Sequence, residues 1–91
     1  MGDLAEIRII SIEEVTQSRS ECVIRCISGD ARVGMKFDFP FSTGSEIELV
    51  RIEWYGKQVE VLDEGHSGKA VLAGNVEPLR ANSALMSPPA H

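Results

Sequence analysis

Val59-Glu60-Val61-Leu62-Asp63-Glu64-Gly65-His66-Ser67-Gly68-Lys69-Ala70-Val71-Leu72-Ala73-Gly74 decides the fold, because two alternating segments flank an acidic turn carrying Gly65 and Gly68. Alternation with a period of two marks a strand that turns one face to a core. A second stretch, Cys22-Val23-Ile24-Arg25-Cys26-Ile27-Ser28-Gly29-Asp30-Ala31-Arg32-Val33-Gly34-Met35-Lys36-Phe37-Asp38-Phe39, has the same design of strand, turn and strand, with Gly at both bends. In its first strand, residues 21–28, Cys22, Ile24 and Cys26 share one face. Arg25 interrupts the other, between Val23 and Ile27, so the even-numbered face is expected in the core. Ser28-Gly29-Asp30 is turn chemistry, with Gly29 supplying a positive φ that other residues resist. Gly34 separates Ala31-Arg32-Val33 from the strand bearing Phe37 and Phe39, and fits a bend or bulge.

Working outward, residues 5–12 have strand composition, with Ile7, Ile9, Ile10 and Ile12 in a pattern of partial burial on both faces. Ser11-Ile12-Glu13-Glu14 matches a capping box. Residues 15–20 offer no apolar positions at helical spacing, so one short turn is the most it supports. Pro40 ends normal pairing because it brings no amide hydrogen to a ladder, and residues 41–45 read as a loop. The next strand, residues 46–55, carries Ile47 and Leu49 on one face before Val50, Ile52 and Trp54 take the other, which suggests a bulge. Tyr55-Gly56-Lys57 is a hairpin turn, and residues 58–62, 68–74 and 83–87 supply the last strands. Six or seven short strands with Gly-marked turns and no convincing helix indicate an all-β sandwich or barrel. The reading is of one closed β-barrel domain, residues 1–87, with residues 88–91 a frayed, disordered tail.

A chain of 91 residues holds one compact core. Its hydrophobic residues, 43%, and charged residues, 25%, are those of an ordinary globule. The net charge of −5 opposes a grip on phosphate backbones, so direct nucleic-acid backbone contact is not expected, and a basic or neutral partner is easier to accommodate. The first residues show neither a cationic run nor an apolar segment of signal-peptide length, and no apolar stretch reaches a membrane span. The expectation is a cytoplasmic protein with no membrane partner. Cys22 and Cys26, four residues apart on one strand, stand about 13 Å apart, too far for a disulfide. They read as free, buried thiols.

Chemistry is sparse. Gly65-His66-Ser67-Gly68-Lys69-Ala70 has two residues between its glycines where a P-loop needs four, and Ala follows the Lys in place of Ser or Thr. Asp63, His66 and Ser67 are triad residue types, yet neighbours on one turn do not align a base between an acid and a nucleophile. His66 and His91 lack a carboxylate cluster for a zinc or iron site, so neither metal, cofactor nor enzymatic activity is expected. Trp54 and Tyr55 offer a stacking platform for a base, but consecutive strand residues point to opposite sides, and core packing is the expectation for Trp54. Arg51, Glu53, Lys57 and Glu60 are expected to pair across strands. Phe39-Pro40-Phe41 either folds onto the core or offers a partner an apolar contact.

In layout the chain resembles the second, β-barrel domain of translational GTPases, as in elongation factor Tu and bacterial initiation factor two. The Gly29 turn, the Val33-Gly34 bend and Lys36-Phe37-Asp38-Phe39 stand in the family's order. Ile52-Glu53, Tyr55-Gly56-Lys57, Leu62-Asp63-Glu64-Gly65 and Ser67-Gly68-Lys69-Ala70-Val71 follow in turn, and Glu13-Glu14-Val15 is similar to the Ile-Glu-Asp-Val that leads into the family's barrel. Elongation factors that hold aminoacylated transfer RNA carry Gly-Glu-Asn-Val where this chain has Gly68-Lys69-Ala70-Val71, and Ile24 and Leu72 replace glycines. The resemblance implies a stand-alone, non-enzymatic module that contacts a protein or ribonucleoprotein through its turns, with Gly65, His66, Ser67, Gly68, Lys69 and Ala70 as the contact. The alternative is a homo-oligomeric structural or assembly protein that associates through barrel edges or Phe41.

Overall fold

The computed structural model describes residues 4–40 and 42–87, with side chains described for 4–40 and 46–87. Nine strands follow one another: β1 (Glu6–Val15), β2 (Arg19–Ser28), β3 (Ala31–Arg32), β4 (Lys36–Phe39), β5 (Ser42–Trp54), β6 (Lys57–Val59), β7 (Val61–Leu62), β8 (Ser67–Ala73) and β9 (Ala84–Met86). Among the described residues there is no helix. Pairing runs β4-β9-β1-β2-β8-β5, and β5 pairs back onto β4, so six antiparallel strands form a ring. This is the all-β, barrel-like architecture expected from the sequence. β6 extends the sheet beyond β5, and β3 and β7 make a separate two-stranded ladder.

Alternation places the interior as read. Cys22, Ile24 and Cys26 are buried on β2, and Phe37 and Phe39 on β4, while Arg25 is exposed. The face switch on β5 is a real irregularity. Its register against β8 shifts between Leu49 and Arg51, so Leu49 and Ile52, an odd and an even residue, both reach the core. The β1–β2 ladder shifts three times, between Glu6 and Ile7, between Ile9 and Ser11 and between Ile12 and Glu14. At the shift between Ile9 and Ser11, Ile10 is left exposed although Ile7 and Ile9 are sealed.

Three boundaries differ from expectation. Residues 11–14 form no capping-box turn. β1 continues to Val15, which pairs with Ser20, and the hairpin is closed by the Arg19 N–H donating to Thr16 Oγ1 at 3.1 Å. A capping box organises only a first turn, and without an apolar helical face the cross-strand ladder prevails. The loop expected over residues 41–45 is largely strand, since β5 begins at Ser42, opposite Phe39. Small polar residues there satisfy their backbone groups in the β4–β5 ladder in place of water. Phe41 and the tail 88–91 lie outside the described residues. Residues 58–62 form two short strands, β6 and β7, broken at Glu60. The connection from β8 to β9, which carries no alternation, contributes Val76 and Leu79 to the core.

Gly29 is fixed by space as well as by angle. Its φ is +70°, and a Cβ there would be driven into the Leu4 carbonyl oxygen. Both cysteines are free and buried, as expected. The Cys26 thiol donates to the Gly29 carbonyl at 3.2 Å, tying β2 to the turn that follows it.

Candidate functional site

The contact singled out in the sequence spans a turn and the start of a strand, which begins at Ser67, one residue earlier than expected. Gly65 and His66 belong to the turn, whereas Ser67, Gly68, Lys69 and Ala70 are the first residues of β8. Ala70 is buried, and Lys69 is exposed with its Nζ 3.2 Å from Glu13. Glu13 stands at the register shift between Ile12 and Glu14, which lets it reach over β2 to β8. The turn is held to β2 through its backbone: the Gly65 N–H donates to the Cys26 carbonyl at 2.7 Å, and the Cys26 N–H donates to the His66 carbonyl at 2.9 Å. Glu64 Oε1 accepts the Gly29 N–H at 3.1 Å, joining this turn to the turn after β2.

Gly68 brings β8 unusually close to β5. A Cβ at this position would lie 2.7 Å from the Glu53 carbonyl oxygen, so only glycine permits the approach. The consequence lies next to it in sequence: the His66 imidazole stacks on the Trp54 indole, with ring centroids 5.2 Å apart and planes 9° apart. Trp54 meets Tyr55 edge to face at 4.8 Å and 70°. The expectation that Trp54 packs in the core is therefore corrected. Its side chain lies at the surface, 36% exposed, because β5 projects past the ring at this point and pairs there with β6 alone.

Tyr55 is 87% exposed. With Gly56 it forms a two-residue hairpin turn in which both φ angles are positive, +53° and +76°, the arrangement that favours Asn-Gly. A tyrosine held there costs about 1–2 kcal/mol of backbone strain, and its largely solvated ring recovers little of that by burial. The sequence carried a legible signal: a bulky residue at the first central position of a two-residue hairpin turn.

Electrostatics at this end are mainly acidic. Burial pushes the Cys26 thiol up, a backbone hydrogen bond from Ala31 works against that, and the carboxylates of Asp30, Glu64 and Asp63 push it further up. Asp30 lies 4.0 Å from Arg32. Arg51 binds Glu53 at 2.7 Å along one strand, and not across strands as expected. Among the described residues no group of three His, Cys, Asp or Glu side chains is placed to hold a metal ion. The His66 ring lies flat on Trp54, an orientation set by stacking. A concavity of about 250 Å³, lined in part by Glu14, Arg19, Glu21 and Arg51, sets two cations against two anions.

The residues that the structure brings together are thus His66, from the expected contact, with Trp54 and Tyr55 from the neighbouring hairpin. Comparison with protein-family models and with curated protein sequences gives no match.

Proposed function

We propose that this chain is a non-enzymatic binding module that engages a protein or ribonucleoprotein partner through the barrel end formed by Trp54, Tyr55 and the turn at Gly65 and His66. The observation that carries the reading is Tyr55, a large aromatic held in a strained turn conformation and left almost wholly in solvent. Strain that packing does not offset concentrates at functional positions, and exposed Trp and Tyr are the residues that most often dominate binding energy. The layout resembling the second domain of translational GTPases supports the same end, since the late-strand turn that meets ligand in that family corresponds to residues 65–70. Self-association through barrel edges is less supported. The ring leaves β6, three residues long, as the free-edged strand at the end of the larger sheet among the described residues.

The test is co-sedimentation of the full chain with ribosomes, and a titration with transfer RNA, each repeated with Tyr55→Asn. Asn suits the turn while removing the ring. Capture by either partner that Tyr55→Asn abolishes supports the proposal. A folded wild-type chain that neither partner captures, or capture indifferent to the substitution, counts against it.

A further inference from the structure

Resting on the reading of this end as a binding surface, we infer that its occupant is a basic, arginine-bearing segment of a partner protein, with a guanidinium stacked on the exposed Trp54–Tyr55 corner. The geometry supplies two ring systems at 70°, a corner in which a planar cation lies against one face while meeting the other. His66 covers one face of Trp54, and Tyr55, 87% exposed, is the ring of the corner most open to an incoming cation. Aromatic faces are electron-rich and attract cations, more strongly when water is excluded. Guanidinium suits this better than ammonium because it is flat and weakly hydrated.

Charge selects the same partner. Glu53 is engaged by Arg51 and Asp30 is beside Arg32, but Asp63 and Glu64, which precede Gly65 and His66, hold no ion pair among the described residues. Lys57, opposite Trp54, and Arg25, opposite Ser67, are the local cations that a basic partner must pass. The net charge of −5 outweighs them at a distance and draws a basic segment in. The same field opposes a nucleic-acid phosphate backbone.

Trp54 is the only tryptophan, so its emission reports on this site alone. The full chain is titrated with four short probes of equal length: an alternating Arg-Gly peptide, its Lys-Gly and Glu-Gly counterparts, and a single-stranded RNA. The expected result is a saturable change with the Arg peptide, at least about threefold tighter than with the Lys peptide. Tyr55→Asn is expected to weaken Arg-peptide binding about tenfold, while its denaturation midpoint stays at or above that of the parent.

Equal affinity for Arg and Lys peptides, which would mean bare coulombic attraction, overturns the inference. So does tighter binding of the Glu peptide or the RNA, although the binding-surface reading then survives. Silence of Trp54 toward all four probes, with Tyr55-dependent capture by ribosomes or transfer RNA intact, removes the arginine inference alone. Silence together with no capture removes both.

Discussion

The two halves of β5 follow different rules. Where β5 runs through the ring, Ile47, Leu49 and Ile52 are fully buried, and a register shift keeps the apolar face turned inward. A few residues later Tyr55 is left almost wholly outside and Trp54 is only partly covered. The difference is one of neighbours. Ile47 pairs with β4, and Leu49 and Ile52 pair with β8, Ile52 also with β6, whereas Trp54 is paired with β6 alone and Tyr55 lies in the turn. The fold spends its packing on the ring and leaves the tip strained and wet, which is the pattern expected when a surface is kept for something outside the chain.

The comparison breaks first at the core. Phe37→Ala removes the largest of the fully buried side chains, and is expected to destabilise by about 3–5 kcal/mol. Urea unfolding measures this, and a loss under about 1 kcal/mol would mean that the ring interior is not packed as described. Gly29→Ala comes next, because it combines the left-handed backbone with a clash against Leu4. A loss of about 2–3 kcal/mol is expected, and an unchanged midpoint would show that the turn rearranges freely.

Third is a pH effect confined to the ring. Burial and the nearby charge of Glu13 push the Cys22 thiol up from 9.0 to about 12, against a hydrogen bond with Ser20 that lowers it. The native thiol stays protonated while the unfolded one ionises above 9, so the stability contribution is complete below pH 9 and is lost as pH rises toward 12. The loss is about 1 kcal/mol by pH 10. Comparing stability at pH 8 and pH 10 with that of Cys22→Ala isolates it, since the other titrating groups are shared. Parallel pH profiles for the two chains would refute it.

The smallest effect has the opposite sign. Tyr55→Asn relieves the turn and should raise stability by about 0.5–1 kcal/mol. If the substitution destabilises, the Tyr55 ring contributes to folding and the contrast between the two halves of β5 loses its basis.

Much of the ring was legible locally. The period-two pattern of residues 22–26 and the Phe37-Asp38-Phe39 alternation named the core face, and the switch between Leu49 and Val50 announced the irregularity in β5. Residues 42–45 and 13–15 were misread because their composition favours loops and caps, while Ser42 pairs with Phe39 and Val15 with Ser20 in tight hairpins that composition does not announce. Half of the candidate site was visible as the turn at Gly65 and His66. Its other half was not, because stacking of His66 on Trp54 depends on β8 approaching β5 at Gly68, a contact between segments about a dozen residues apart.

By itself, then, the sequence determined that this chain is a glycine-punctuated all-β domain with one apolar face per strand, because alternation and turn chemistry act between near neighbours. Only the tertiary structure decided which strands lie side by side around the ring, that Val76 and Leu79 belong to the core, and that Trp54 lies at the surface beside Tyr55 and His66. Those outcomes depend on which strand lies beside which, and a residue's burial is set by neighbours in space that local periodicity does not specify.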